Sequence, residues 1–417
     1  MVGFILADLR RSWPGALAIC LIVAFASALG IVVTLQERAL RLGSARAADA
    51  FDLVIGAPGS ETQLVLSAVF LQPAPLPLLP GRVMADLASD PRVAWAAPVG
   101  FGDQYGGWPV VGTTEAMVAG LGGIADGAGF ARLGDAVVGA DVGIGPGDSF
   151  HPVHAELAAE GEVHQGTTYT VRGRLARTGS PWDRAILVPI EAVWETHGLH
   201  ASEEAHAEAD PAHAEDEAHH HGALDADEPV HADAAFDADA PGVPAIVVRG
   251  RSVADAYNLR QHYRGDSTVA VFPAEVLTRL YGTLGDVRTV IGAVAVAAQA
   301  LVAAAILLVA VLHVVQRHRQ IGALRAFGAG RGVVFLIVWS EVALIAAAGI
   351  ATGVSLGYAA ARLISSRLQA VSGIGMPVEF TIGDVGLVLA LLAAGGLCAL
   401  IPAAVAYRQA PAAALRG

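Results

Sequence analysis

Histidine and carboxylate carry most of the chemistry that this chain can offer. Eight of the 14 histidines fall within 35 residues: His197, His200, His206, His213, His219, His220, His221 and His231. Acids lie between them, and residues 195–240 hold 14 Asp and Glu and no Arg. Neutral imidazole and carboxylate are ligands for zinc, nickel and copper. His197 and His200 close a helical pattern at i, i+3 and so can share an ion. The stretch is otherwise alanine-rich, charged and poor in bulky apolar residues, a composition that stays disordered without a partner. Ordering costs about 1–2 kcal/mol per residue fixed. The expectation is therefore interchangeable binding of a divalent metal rather than one rigid centre. Two other readings fit the same composition: a solvated spacer, or an acid sensor whose imidazoles protonate near pH ~6.5. His151, His154 and His164 lie in the preceding part of the chain.

Other reactive constellations are missing. The sequence has no Walker motif and no H-E-x-x-H, so no catalytic site is expected and any nucleotide hydrolysis must come from another chain. Basic patches interleaved with aromatics are absent as well, and nucleic acid is not an expected partner. Cys20 and Cys398 both sit in apolar runs and are not placed to staple an exported domain. Glu341 lies about 12 Å along an apolar run at 1.5 Å per residue. An unpaired acid there costs about 2.5–3.5 kcal/mol or more; pairing with an interfacial arginine is favoured over a proton relay. Gly349, Gly353 and Gly357 recur every four residues. That spacing lets helices approach closely in lipid, within one subunit or between two copies.

These residues need elements to hold them. The chain has 417 residues, 54% hydrophobic and only 16% charged, with a mean hydropathy of +0.54. The apolar excess sits in four runs long enough to cross a bilayer, which takes about 20 residues. They are 14–36, 289–315, 333–361 and 382–406. Residues 1–13, 314–332 and 407–417 carry eight arginines, against two in the connection 362–381. Positive charge in short loops stays cytoplasmic. Both termini and the loop 316–332 are thus expected inside, and residues 37–288 and 362–381 outside. The net charge of −13 belongs almost wholly to residues 195–240, for the rest of the chain has 25 acids and 26 arginines.

The outer segment 37–288 mixes two periodicities. Strand patterns cover 51–57, 108–113, 168–175, 185–189 and 245–249. Helical patterns cover 81–89, 189–197, 252–263 and 273–281. Pro73, Pro75, Pro77 and Pro80 mark an irregular connection. The fold class is accordingly a membrane protein with four transmembrane α-helices and a large extracytoplasmic α+β domain between the first and second. Residues 195–240 form a His- and acid-rich disordered insert in it. Residues 37–50 and 275–286 can continue the flanking spans outward as stalks.

Two stretches resemble a known family. RHRQIGALRAFGAGRGVVFLIVWSEVALIAAAGIATGVSLG (317–357) and the closing PAAVAYRQAPAAALRG (402–417) are similar to FtsX/MacB-type permeases of ABC transporters. FDLVIGAPGSETQLVLSAVF (51–70) and GDAVVGADVGIGPGD (134–148) resemble that family's periplasmic core domain. In the loop, Ile321, Leu324 and Gly328 share a helical face, with arginines beside it and glycines ending it. The resemblance implies that this loop couples to a separate cytoplasmic ATPase through Arg317, Arg319, Ile321, Gly322, Leu324, Arg325, Gly328 and Arg331. It further implies a second permease copy, ATP bound only by the partner, a bacterial inner-membrane location, and a periplasmic binding or lipoprotein partner beside membrane lipid. The outer domain would then be moved by ATP-driven closing of the spans. Within that frame the insert points to zinc or other transition-metal handling. The alternatives are a lipoprotein or peptide exporter with an incidental insert, and a mechanotransmitting subunit that regulates an envelope enzyme. A secondary metal transporter is disfavoured, because only Glu341 and His313 offer polar ligands near the spans.

Overall fold

A computed structural model describes residues 10, 13–72, 74–154, 167–199, 224–231, 233–283, 293, 300, 304 and 328–408. Most of the expected span 289–315 and most of the loop 316–332 lie outside the described residues. The chain forms two compact units, one of residues 42–283 with 368–375 and one of the remainder.

The first unit is built on one sheet. Its strands are β1 (Leu53–Gly56), β2 (Val93–Tyr105), β3 (Trp108–Thr113), β4 (Ile124–Gly127), β5 (Asp135–Val138), β6 (Ser149–Phe150), β7 (Val153–His154), β8 (Tyr169–Leu175), β9 (Ile186–Pro189), β10 (Ala245–Gly250) and β11 (Val269–Val271). Their order is β11-β1-β10-β2-β3-β9-β5-β8-β4, with β6 on β8 and β7 on β2. The five strand patterns in the sequence correspond to β1, β3, β8, β9 and β10. β2 has no clean sequence signal, since Pro98, Gly100 and Gly102 interrupt it and proline argues against a central strand. Yet β2 joins the two halves of the sheet, pairing with β10 through its first part and with β3 through its second. Apolar alternation gives the sheet two buried faces: Leu53, Ile55 and Ile246 pack on one, Val54, Val99 and Val247 on the other.

Helices cover those faces: α1 (Trp13–Ala47, only its last turns in this unit), α2 (Glu61–Phe70), α3 (Gly81–Ser89), α4 (Glu115–Gly120), α5 (Ile190–Thr196), α6 (Val253–His262) and α7 (Pro273–Thr283). α2 begins where the Ser60 hydroxyl accepts from the Gln63 amide at 3.2 Å, a side-chain N-cap.

One boundary is corrected. Residues 195–240 do not form a single structureless insert, because 224–231 and 233–240 pack on the sheet unit. Leu224 and Ala235 are buried. The carbonyls of Ala226 and Glu228 accept from Gly134 and Leu133 at 3.1 and 2.8 Å, and Arg132 pairs with Asp227. The low apolar content misleads here because a few buried apolar side chains and a run of backbone hydrogen bonds suffice to dock the segment. Within 195–240, residues 200–223 and 232 lie outside the described residues.

The second unit contains most of α1, most of α8 (Arg331–Ser372), and α9 (Ile382–Cys398) with α10 (Leu400–Arg408). Three stretches, Trp13–Ala47, Arg331–Ser372 and Ile382–Val405, are long and apolar enough to span a membrane. Two exceed the expected spans. α1 continues without a break to Ala47, and α8 runs past 361 to Ser372, so the connection shrinks to 373–381. α1 and α8 run parallel: Gly349 packs on Val23, Gly357 on Ala28, and Ser365 on Gln36. α9 and α10 run against α8, since Trp339 donates to the Gly396 carbonyl at 3.0 Å and Ala403 packs on Val334 and Val338. The first residues of α8 and the last of α10 therefore meet at one end of this bundle, where Phe335 and Tyr407 stack edge to face.

Candidate functional site

The small-residue seam of α8 is formed within one chain. A methyl group added at Gly349 would lie 2.7 Å from Cβ of Val23 and 2.8 Å from the Cys20 carbonyl oxygen. Gly353 meets Ala24 and Ser27 in the same way, and Gly357 meets Ala28 and Ile31. Glycine at every fourth position thus lets the backbones of α1 and α8 come together. Of the two readings open in the sequence, the intra-subunit one describes this seam. Glu341 is buried on the same helix.

Farther along, Arg38 of α1 holds Asp384 at the start of α9. Its two terminal nitrogens donate to the carboxylate at 2.7 and 3.0 Å, and Arg38 also donates to the Glu379 carbonyl at 3.2 Å. Asp384 accepts from the Thr381 amide at 2.7 Å and from its hydroxyl at 2.9 Å. This is a capping box that starts α9. Thr381-x-x-Asp384 before an apolar run was a visible capping signal, whereas nothing local pointed to Arg38 as the partner.

At the other end of the bundle, Gly328 has φ +94°, a conformation that favours glycine, and α8 begins three residues later at Arg331. Arg331 is exposed. Arg317, Arg319, Ile321, Gly322, Leu324 and Arg325 lie outside the described residues.

In the sheet unit the described histidines of the 197–231 set are drawn apart rather than together. α5 lies flat on a patch of the sheet without side chains, where Gly100 and Gly112 are register partners. Added methyl groups there would meet Ile190 and Val193 at 2.7 and 2.5 Å. His197 closes the C-terminus of α5. Its Nδ1 donates to the Val193 carbonyl at 2.8 Å, and its Nε2 faces the buried Asp103 carboxylate at 3.5 Å. The Asp103 carboxylate raises the pKa of His197 above its ordinary 6.5, against the opposing effect of burial. His231 sits at the opposite end of α5, with Nδ1 3.1 Å from Glu191. His200, His206, His213, His219, His220 and His221 lie outside the described residues. Among the described residues no three metal-ligating side chains form a group. Asp103 was not singled out by the sequence. Its position depends on a register shift in β2 between Phe101 and Asp103, and such bulges redirect side chains.

No curated protein matches the chain's sequence. Among solved structures, the chain is similar to the periplasmic region of MacB from Actinobacillus actinomycetemcomitans, at 8% identity over 57% of this chain and 95% of that one, with a TM-score of 0.33. It is also similar to the extracellular domain of the noncanonic ABC-type transporter YknZ from Gram-positive bacteria, at 11% identity over 53% and 98%, with a TM-score of 0.29. In the C-terminal part, residues 292–411 match the family model of the FtsX-like permease C-terminal domain, the region that holds the α8 glycine seam and Asp384.

Proposed function

We propose that this chain is the membrane subunit of an ABC-type complex, in which a separate cytoplasmic ATPase works on the loop 316–332 and the motion is passed to the sheet unit on the other side of the membrane. The observation that carries the reading is the continuity of α8. It starts just after the glycine-ended loop and runs unbroken to Ser372. The residues that follow are bound into the sheet unit: the Gly375 amide donates to the Gly179 carbonyl at 2.9 Å, and Gly373 packs on Arg184 and Pro181. An unbroken helix that leads into those residues is suited to transmit a displacement. Both termini are cytoplasmic in this reading, the membrane is the bacterial inner membrane, and a second permease copy completes the complex. The 200–223 histidines bind a divalent transition metal such as zinc and tune activity. Purification of the tagged chain from native membranes, followed by identification of co-purifying proteins, tests the central claim. Recovery of a stoichiometric ABC ATPase supports it, and its absence under conditions that keep the chain intact overturns it.

A further inference from the structure

The turn that joins β8 to β9 is organised by one carboxylate. Asp183 is 0% exposed. It accepts from the Thr178 amide and hydroxyl at 2.7 and 2.8 Å and from the Gly179 amide at 2.8 Å, and Arg177 stands 3.8 Å away. Hydrogen bonds to a carboxylate are stronger than neutral ones, so they fix the backbone at 178–179. The chain then makes one 3-10 turn, Pro181–Arg184, with Trp182 buried. The Asp183 carbonyl accepts from the Asp141 amide at 2.7 Å. β9, which follows, lies between β3 and β5 in the interior of the sheet. A displacement of the turn therefore acts on a central strand rather than on an edge.

The end of α8 and the residues after it, 368–375, belong to the same compact unit as this turn. Gly373 leaves the helix at φ +72°, the left-handed stop that glycine provides. A methyl group there would lie 3.0 Å from Cδ of Arg184 and 3.2 Å from Cα of Pro181. Two residues on, the Gly375 amide donates to the Gly179 carbonyl at 2.9 Å, and a methyl group at Gly375 would lie 3.1 Å from that oxygen. Ile374, between them, is buried. Two glycines thus let the backbone lie directly on the turn that Asp183 builds.

We propose that residues 178–184 are the seat through which α8 moves the sheet unit, and that Asp183 is its positioning residue, acting through Gly179 and Arg184. This rests on the reading of the chain as an ATPase-coupled permease and names the place where motion enters the sheet. The contact is made by close backbone packing and a hydrogen bond, which pass on a displacement that long side chains would absorb. The seat also has a second arrangement open to it. Arg184 Nε is buried without an acceptor among the described residues, a costly state for a donor, and a slide of 373–375 that brings a carbonyl to it gains a hydrogen bond.

The test uses the full-length chain purified with its ATPase. Amide hydrogen exchange over 176–189 is measured with and without a non-hydrolysable ATP analogue, alongside stimulated ATP hydrolysis and the unfolding temperature. In the wild type the analogue should change exchange there about fivefold or more. Gly375→Ala and Asp183→Asn should each keep stimulation of the ATPase within about twofold of wild type, yet lose that nucleotide dependence. Gly143→Ala, where an added methyl group has open space, should keep both. Nucleotide dependence separates coupling from folding, since a merely structural defect shifts exchange equally with and without the analogue. Should Asp183→Asn fail to fold, Gly375→Ala carries the test. The proposal is overturned if the analogue changes exchange elsewhere in the sheet unit but not over 176–189, or if its effect there persists in folded Gly375→Ala. Absence of a co-purified ATPase would instead defeat the permease reading on which the proposal rests.

Discussion

Arg38 and Asp384 form a bidentate ion pair at 2.7 and 3.0 Å between two apolar helices, although 346 residues separate them in the chain. The Asp384 side chain is 1% exposed and that of Arg38 is 22% exposed. Removing one partner leaves a buried charge uncompensated, which typically costs about 3–5 kcal/mol. Arg38→Ala should cost about 3 kcal/mol, at the low end because Arg38 keeps some solvent contact. The double variant Arg38→Ala, Asp384→Asn should lose less than the sum of the single changes. Thermal unfolding of the detergent-solubilised proteins in a double-mutant cycle measures this; additive losses would show that the pair is not coupled.

The α8 seam makes a second claim about packing. Gly353→Val forces a side chain against Ala24 and Ser27 of α1 and should destabilise by about 1–3 kcal/mol, the usual cost of overpacking. Gly396→Ala is the control, since an added methyl there has open space. It should be neutral in the same unfolding assay. Equal stability of the two variants would mean that α1 does not lie on the Gly353 face.

The proposed topology rests on arginine placement, and the parallel run of α1 and α8 is consistent with it. Reporter fusions at residues 120, 325 and 417 should report outside, inside and inside. An outside signal at 325 or 417 contradicts the orientation.

For coupling, the decisive positions are in the loop. Gly328 is at φ +94°, so Gly328→Val introduces backbone strain of about 1–3 kcal/mol at the start of α8. Arg325→Glu reverses charge in the same loop. Both variants should insert normally and lose stimulation of the partner ATPase. Normal stimulation in well-expressed protein would remove the loop from the coupling path.

His197 gives a pH prediction for the metal-free protein. Its pKa is raised in the folded state, chiefly by Asp103. The ionised pair therefore stabilises below the unfolded pKa of about 6.5, and the contribution is lost as pH rises through the higher folded value. Glu195 and the buried Tyr169 lie in the same neighbourhood. With chelator present, His197→Ala should cost on the order of 1 kcal/mol at pH ~6 and clearly less at pH ~9, read from unfolding temperatures. A larger loss at the higher pH would reverse the sign and reject the pairing.

Features that depend on neighbours along the chain were legible in its residue order. Hydropathy located the apolar helices Trp13–Ala47, Arg331–Ser372 and Ile382–Val405. Short apolar runs rich in β-branched residues located β1 and β10, and glycine ended the loop at Gly328. These are local signals because hydrogen bonding in a helix and side-chain direction in a strand repeat every few residues. Which distant groups meet was set by the folded packing. Nothing near Arg38 names Asp384, and nothing near His197 names Asp103. The second pairing depends on where a register shift falls in β2, a strand that its own proline and glycines conceal. The same holds for residues 224–240, whose composition reads as solvated but whose backbone groups find partners at Leu133 and Gly134. A buried charge or backbone amide is stabilised by whatever group the fold brings within about 3 Å, and that distance is set by packing across the molecule rather than by order along it.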